Sequence, residues 1–265
     1  MKISIMTLFP DMCENVLSES IIGRARKAGH VDIACVNIRD YTKSKQKHVD
    51  DAPYGGGTGM VMQAQPIYDC FQAIMNGSAI TAPSPALEGA CPRIEASPEK
   101  PHVIFMSPQG ATLTQERVKE LSKLDHVVLL CGHYEGVDER VLEEIVDEEI
   151  SVGDYVLTGG ELPACIVADS ICRMLPGVLP NEEAFEIESH YGHLLEFPQY
   201  TRPAEWNGRE VPAILLSGDH AKVDQWKLKM SLKRTLERRP DMLEGVELSK
   251  EEQKLLRELR EEAQE

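Results

Sequence analysis

The 265-residue sequence lacks any apolar run near the roughly 20 residues that a membrane span needs. It also lacks the apolar stretch and cleavage site of a secretory signal, because Met1–Phe9 has the pattern of a short strand. Its seven cysteines are scattered and form no C-x-x-C pair, which argues against a zinc site or a disulfide framework. These absences predict a cytoplasmic protein with free thiols and no membrane partner.

Positive charge is scarce, since the formal net charge is −16 at pH 7. Proteins that bind nucleic acid usually carry a basic face, because neutralising phosphate supplies much of the affinity. Two stretches run against the overall balance: residues 39–48, here called the basic segment, and residues 222–239, the basic helix. Such runs are often solvated surface, but in an acidic chain they favour local footprints for a polyanion.

The glycine-rich stretch from Ser151 to Pro163 has no lysine followed by Ser or Thr, so it is not a Walker phosphate loop. Its glycine spacing also differs from G-x-G-x-x-G. Glycine lets a ligand approach main-chain N–H and C=O groups closely. A loop that offers such groups without positive charge suits a flat, uncharged group such as adenine.

Two further apolar runs end in similar loops. Residues 102–106 lead into Ser107–Gly110, and residues 127–131 lead into Gly132–Gly136. Each loop alone is typical of an ordinary turn. Because ligands of open α/β sheets bind at the carboxyl ends of the strands, the three loops together predict a binding site.

The wider pattern alternates strands with helices, which predicts an α/β fold with a largely parallel sheet. Strand-like runs occupy 3–8, 31–38, 102–106, 126–131 and 211–216, and helix-like runs occupy 11–28, 64–76, 112–124, 137–146 and 161–175. The proline-rich composition of residues 77–101 predicts a surface loop between a helix and a strand. Leu228, Leu232 and Leu236 form one helical stripe, and Ser249 with Glu252 has the spacing of a capping box before the last helix.

Five motifs, in order along the chain, resemble the bacterial tRNA (guanine-N1)-methyltransferase family, a member of the knotted SPOUT superfamily that uses S-adenosylmethionine. The similarity runs from Leu8–Pro10 to Arg238–Pro240. The motifs are Tyr54–Met60, Ser107–Gly110, Gly132–Arg140, Ser151–Pro163 and Tyr200–Pro203.

The resemblance implies a deep trefoil knot across residues 105–165, where spacing alone predicts an unknotted sheet. It implies a knotted cofactor-binding domain over 1–179, a linker over 180–187 and a smaller, mostly α-helical tRNA-binding domain over 188–265. It also implies a homodimer with active sites at the subunit interface. In such a dimer we expect Arg173 and Glu188 at one site to come from different chains.

The reaction implied by the resemblance moves a methyl group from S-adenosylmethionine to N1 of the guanosine 3′ to the tRNA anticodon, position 37. Guanine N1 carries a proton, so the site needs a general base and a donor aimed at O6. Arg173 matches the family's catalytic arginine, although a helix-end arginine can also simply offset the macrodipole. Glu188 takes the base position where the family typically has Asp, with Glu186 and Glu183 as alternatives.

By resemblance, the cofactor contacts fall on the three glycine loops. They are Ser107, Pro108, Gln109, Gly132, Tyr134, Glu135, Gly136, Ser151, Val152, Gly153, Asp154, Tyr155, Val156, Leu157, Gly159, Gly160 and Pro163. The family's reaction depends on Mg²⁺, but no carboxylate cluster in the sequence identifies a site, so Mg²⁺ stays open. Tyr54–Met60 and the basic segment are expected to dock RNA backbone, and the basic helix to hold the anticodon arm.

Two other functions are compatible with parts of the pattern. A non-catalytic RNA-binding protein that keeps the cofactor pocket predicts loss of Arg173 or of the carboxylate, and both are present in the sequence. A nucleotide-dependent phosphotransferase would use the glycine loops, but the absent Walker lysine argues against it.

Overall fold

The computed structural model describes residues 1–96, 99–180, 185 and 187–262. The chain divides into two compact units, Met1–Glu182 and Glu183–Glu265. Within the described ranges, no helix is both long and apolar enough to cross a membrane. The two units are taken in turn.

The first unit alternates strands and helices along the chain. Its strands are β1 (Lys2–Thr7), β2 (Asp32–Asn37), β3 (Asp50–Asp51), β4 (Val61–Met62), β5 (His102–Thr112), β6 (His126–Cys131) and β7 (Glu148–Ser151). Its helices are α1 (Pro10–Leu17), α2 (Ser20–Ala28), α3 (Ala64–Met75), α4 (Gln115–Leu121), α5 (Glu139–Ile145) and α6 (Glu161–Cys172).

A five-stranded sheet in the order β2-β1-β6-β5-β7 forms the centre of this unit. Every pairing within it is parallel, with Ile5 opposite Leu129 and Ile104 opposite Leu129 on the other side. The predicted α/β fold with a parallel sheet is confirmed. All residues of β6 are buried, as expected for a central strand covered on both faces.

Alternate residues of the strands feed two separate apolar clusters. Ile3, Ile5 and Leu129 pack with side chains of α1, α2, α4 and α6 on one face. Val128 and Leu130 pack with α3 and α5 on the other. Since successive side chains of a strand point to opposite faces, the period of two is what divides the core.

The predicted helix 11–28 is wrong in one respect, because the chain breaks between α1 and α2. The main chain folds back at Ser18, and its carbonyl comes so close to Gly23 that any Cβ there would overlap it. Ser20 takes a positive φ of 51° at this break. Apolar periodicity continues through the break, so the pattern alone did not reveal it.

Two strand predictions also change. β5 resumes after the predicted turn at Ser107–Gly110, since both Met106 and Ala111 align with Ile150 of β7. The four residues between them leave the ladder as a bulge. β7 was not predicted, because Glu148 and Glu149 hide a strand that has only four residues.

The second unit contains a short hairpin, β8 (Glu205–Trp206) with β9 (Arg209–Glu210), and the helices α7 (His220–Arg238) and α8 (Lys250–Glu262). The predicted strand 211–216 is wrong: Ala213–Leu216 is a 3₁₀ helix after Pro212, and Leu216 stays 65% exposed. Apolar residues favour a strand only where they can pack on a sheet, and this segment has no neighbouring strand among the described residues.

The helices of the second unit pack through a small leucine cluster. Leu232 of α7 lies against Leu255 and Leu259 of α8. The predicted capping box is confirmed, because the Ser249 N–H donates to Glu252 Oε2 at 2.7 Å and the Glu252 N–H donates to Ser249 Oγ at 3.2 Å. These contacts fix the start of α8.

Candidate active site

The loops that follow β6 and β7 meet the bulge of β5 at the carboxyl edge of the sheet. Together they enclose a cavity of about 420 Å³. Because β6, β5 and β7 are neighbours in the sheet, their carboxyl ends come to one place. The predicted convergence of the three loops is confirmed.

All the cofactor residues predicted from the sequence line this cavity, with Asp154 as the exception. Asp154 is exposed at the apex of a tight turn, in which the Tyr155 N–H donates to the Gly153 carbonyl at 2.8 Å. His133 and Thr158, which belong to the predicted loops, also line the cavity. The structure adds lining residues that the sequence did not assign to the site: Phe105, Met106, Val137, Glu139, Leu142, Glu149 and Ile150. Val137 and Leu142 belong to the apolar pattern around α5, which gave a signal for core packing and none for a site.

In chain order, the first cavity loop is Ser107–Gly110, the second is Gly132–Gly136 and the third is Ser151–Pro163. Main-chain contacts join the second loop to the third. The Gly160 N–H donates to the Gly132 carbonyl at 2.9 Å, and His133 pairs with Gly159 in an isolated bridge. A Cβ on Gly160 would lie only 2.8 Å from the Cα of Cys131. Glycine at this position therefore lets the two loops touch and close one side of the cavity.

The bulge in β5 is held in a similar way. Gly110 lies against the main chain of Glu149, so closely that a Cβ on Gly110 would overlap it. Inside the bulge, the Gln109 N–H donates to Ser107 Oγ at 3.1 Å. Gly110 thus returns the strand to its partner and leaves residues 107–109 facing the cavity.

A serine shapes the start of the third loop. Ser151 Oγ donates to the Gly153 carbonyl at 2.9 Å, and the Gly153 N–H lies 3.1 Å from the same oxygen. Gly153 has a φ of 147°, which an L side chain rarely adopts. The sequence requirement for the turn is therefore local, confined to Ser151 and Gly153.

The cavity is acidic. Glu135, Glu139 and Glu149 contribute carboxylates, and as far as the chain is described no Lys or Arg belongs to the lining. Beside it, the Arg140 guanidinium holds the pKa of Asp138 below its usual value. The electrostatic field favours a cation and disfavours a phosphate group.

A buried carboxylate anchors α6 beneath the third loop, and the sequence gave no sign of it. Glu161, 3% exposed, accepts a hydrogen bond of 2.8 Å from the hydroxyl of Thr7, which ends β1. A carboxylate in the first turn also suits the helix dipole. This contact fixes the end of the loop that carries Gly159 and Gly160.

The glycine loop Tyr54–Met60 lies beside the second cavity loop. The Glu135 N–H donates to the Met60 carbonyl at 3.0 Å, and the Met62 N–H donates to the Gly136 carbonyl at 2.9 Å. At the far tip of the loop, Tyr54 is fully exposed. One end of this loop is therefore tied to the Gly132–Gly136 loop, which itself lines the cavity, and the sequence did not indicate this contact.

The basic helix is partly neutralised inside its own unit. Lys229 of α7 pairs with Glu262 of α8 at 2.7 Å, and Lys227 lies 3.6 Å from Asp224. In the basic segment, Lys47 pairs with Asp40 at 2.6 Å, whereas Lys43 and Lys45 are exposed. The positive charge that these stretches offer to a partner is smaller than the sequence count suggests.

Arg173 is not brought to the cavity of its own chain. It is the C-cap residue of α6, with its N–H donating to the Asp169 carbonyl at 3.1 Å. The helix has 12 residues and starts at the cavity, so Arg173 lies roughly 18 Å away along its axis at 1.5 Å per residue. Arg173 therefore does not reach the cavity of its own chain, and the expectation that Arg173 and Glu188 at one site come from different chains stays a prediction.

Glu188 belongs to the second unit. It is half-buried in a turn, where its N–H donates to the Phe185 carbonyl at 3.2 Å and its carbonyl accepts from the Tyr191 N–H at 3.3 Å. It lines a separate cavity of about 430 Å³ whose walls include Phe197 and Leu228. The alternative bases Glu183 and Glu186 lie outside the described residues.

A metal centre has no support among the described side chains. Within the described ranges, no three or more His, Cys, Asp or Glu residues are grouped so that they could hold an ion. The seven cysteines are all free thiols, and Cys91 alone among them is exposed.

Comparison with known proteins relates this chain to one family. A family model described as "tRNA (Guanine-1)-methyltransferase TrmD" matches residues 1–245. A tRNA (guanine-N(1)-)-methyltransferase from Ruminiclostridium cellulolyticum is 54% identical over 242 residues, which cover 91% of this chain and 96% of the relative. Those from Halalkalibacterium halodurans and Bacillus cereus are 48% and 46% identical, over 98% of this chain and 98% and 99% of the relatives.

Proposed function

The chain belongs to the tRNA (guanine-1)-methyltransferase family, and on that premise we propose that it methylates N1 of the guanosine 3′ to the tRNA anticodon, position 37, with S-adenosylmethionine as donor. The observation that carries the proposal is the family match over residues 1–245 together with the cavity that the matched loops build. The relatives' names specify tRNA and guanine N1. We add to this S-adenosylmethionine as the methyl donor and position 37 of the anticodon loop as the target.

The cavity suits S-adenosylmethionine in shape and charge. Glycines at 132, 159 and 160 expose main-chain groups where an adenine edge can hydrogen-bond. The carboxylates of Glu135, Glu139 and Glu149 favour a sulfonium cation and oppose a triphosphate, which is why a phosphotransferase fits less well. When bound, the cofactor supplies an electrophilic methyl group.

The protein's own contribution is to activate guanine. We assign to Glu188 the removal of the N1 proton, and to Arg173 the stabilisation of negative charge that develops on O6. A guanidinium stays charged at all relevant pH values and presents a planar fork of donors. The residues described do not form a Mg²⁺ site, so no step is assigned to a metal.

A homodimer would bring these groups together. Phe9, Met12 and Val16 leave an exposed apolar strip next to α6. On α6, Leu162 and Ile166 are 46% and 44% exposed. With the i, i+4, i+7, i+11 spacing of a helix face, Leu162, Ile166 and Arg173 share one side. We infer that a second copy covers this face and that Arg173 and Glu188 of one copy serve the cavity of the other.

The finer features of the family architecture belong to the same proposal. They are a trefoil knot across 105–165, a cofactor domain over 1–179, a linker over 180–187, a tRNA-binding domain over 188–265 and a cytoplasmic location. The hydrogen bond from the Gly160 N–H to the Gly132 carbonyl holds two loops of the 105–165 stretch together. The exposed lysines of the basic segment support RNA docking.

The test is methyl transfer from labelled S-adenosylmethionine to two tRNA transcripts. One carries guanosine 3′ to the anticodon and the other carries adenosine there. We expect label only on the first, at N1 of that guanosine by nuclease digestion and mass spectrometry. Label on both transcripts, or on neither, would refute the assignment.

A further inference from the structure

Arg39 joins the basic segment to the cofactor cavity. Its Nη2 donates to the hydroxyl of Tyr134 at 3.1 Å, and its Nη1 donates to the Lys47 carbonyl at 3.4 Å. Tyr134 belongs to the Gly132–Gly136 loop of the cavity, and Lys47 belongs to the basic segment. The Arg39 guanidinium therefore contacts both the basic segment, for which we propose RNA as the ligand, and the cavity, for which we propose the cofactor.

Tyr134 needs such support because its own loop leaves it exposed. Its φ is 60°, in the left-handed region that few non-glycine residues adopt, and its side chain is 41% exposed. On one side the ring meets the edge of His133, with centroids 4.8 Å apart and planes at 80°. The hydroxyl contact with Arg39 supplies the second point that fixes the direction of the ring.

The same loop is tied to the RNA-docking region by its main chain. The hydrogen bonds from Glu135 to Met60 and from Met62 to Gly136 connect it to the Tyr54–Met60 glycine loop. Gly59 lies so close to the Glu135 side chain that a Cβ there would overlap it. Displacement of either loop must therefore disturb the other.

We propose that Arg39 is a positioning residue that holds Tyr134 at the cofactor cavity and couples RNA binding on the basic segment to cofactor affinity. This inference rests on the proposed function for the identity of the two ligands. A guanidinium has five N–H donors, so Arg39 can bind a phosphate with further N–H groups while keeping its contact with Tyr134. Once RNA has ordered Arg39, the cofactor no longer bears the entropy cost of ordering it, and the coupling is positive.

The experiment measures the dissociation constant of S-adenosylhomocysteine by calorimetry, with and without saturating tRNA transcript. The product is used because it prevents turnover. In the wild-type protein we expect tRNA to tighten binding about 3- to 10-fold, the range for one hydrogen bond. In Arg39→Ala and in Tyr134→Phe we expect the change to fall below about twofold.

The double variant Arg39→Ala with Tyr134→Phe decides whether Arg39 acts through the hydroxyl. If it does, the double variant weakens product binding no more than Tyr134→Phe alone. Additive losses would overturn the inference, because they would show that the two residues act independently. Arg39→Lys is expected to keep less than half of the coupling factor, since an ammonium lacks the planar fork.

Lys45→Ala is the matched control for charge. It removes one exposed cation from the same segment without touching Tyr134, so it should weaken tRNA binding but keep the coupling factor at saturating tRNA. If Arg39→Ala keeps the wild-type coupling factor, or the wild type shows none, the inference is wrong. Failure of the proposed function is separate, because it would appear as absence of methyl transfer by the wild-type protein.

Discussion

The cofactor cavity and the surroundings of Glu188 are built in different ways. The cavity is closed by main-chain contacts above a sheet that is buried on both faces. Around Glu188, a small leucine cluster supports α7 and α8, whose other contacts include exposed ion pairs such as Lys229 with Glu262. The proposed recognition of the cofactor therefore rests on backbone shape, whereas the proposed proton transfer depends on single side chains in a unit with a smaller apolar core.

The largest effect should come from the side-chain region. We expect Glu188→Gln to lower kcat by about 10²–10⁴-fold, because an amide cannot accept the N1 proton. Single-turnover methyl transfer measures this directly, and product binding should stay within about twofold because the main-chain cavity is untouched. Full activity of Glu188→Gln, with loss of activity in Glu186→Gln, would move the base to residue 186.

Arg173→Ala should lower kcat by about 10²–10³-fold, the usual effect of removing one donor to a developing oxyanion. Cofactor affinity should hardly change, since the proposed contact of Arg173 is with O6 of guanine and not with the cofactor.

Mixed dimers test where Arg173 acts. A dimer of one Arg173→Ala subunit and one Glu188→Gln subunit should stay inactive if both residues of one copy serve the partner's cavity. Recovery of about half the wild-type activity would instead show that the two residues reach one site from different chains. The inactive result must be read beside Arg173→Ala mixed with wild type, which should keep one working site.

His126 in the central sheet should contribute to the acid sensitivity of the fold. Burial lowers the pKa of His126, which is bonded to Ser4 at 2.9 Å, from 6.5 to about 4, with nearby Lys2 contributing. Between these two pH values the unfolded chain binds more protons than the folded protein does. The contribution of His126 to the free energy of unfolding is therefore fully present above about pH 6.5 and decreases as the pH falls towards 4. The loss from this residue is about 3 kcal/mol at most.

Denaturant unfolding at several pH values, followed by circular dichroism, measures that slope. In His126→Gln the stability between pH 6.5 and 4 should change less with pH than in the wild type. An unchanged slope would assign the acid sensitivity to other groups.

Glycine substitutions separate the two modes of construction. Gly110→Ala places a Cβ against the main chain of Glu149, so it should weaken cofactor binding by about 1–3 kcal/mol through displacement of residues 107–109. Gly192→Ala in the second unit meets nothing within 4 Å and should leave cofactor binding unchanged. Equal effects of the two changes on calorimetric affinity would contradict the claim that backbone shape sets recognition.

The smallest effect should come from the exposed ion pairs. Lys229→Ala removes pairing with Glu258 and Glu262, yet should cost only about 0.2–1 kcal/mol of unfolding free energy, and less in high salt. Thermal unfolding at two salt concentrations measures it. A loss of several kcal/mol would show that these ion pairs, and not the leucine cluster, hold the second unit together.

The sequence was sufficient wherever the signal is local. The parallel α/β pattern, the capping box at Ser249 and the three glycine loops could all be read from spacing, because turns and caps are specified by adjacent residues. The break between α1 and α2, the strand at Glu148 and the 3₁₀ helix after Pro212 could not. The strand at Glu148 forms because β5 pairs with it, whereas Ala213–Leu216 pairs with no strand among the described residues.

The same division holds for the candidate active site. The amino-acid sequence by itself determined which loops carry glycine and lack lysine, and hence a main-chain cavity without a phosphate site. Only the tertiary structure decided that Glu161 is buried under Thr7, that Arg39 meets Tyr134, and that Arg173 lies far from its own cavity. These contacts join residues remote in sequence, and a linear pattern does not encode which distant side chains the sheet order will bring together.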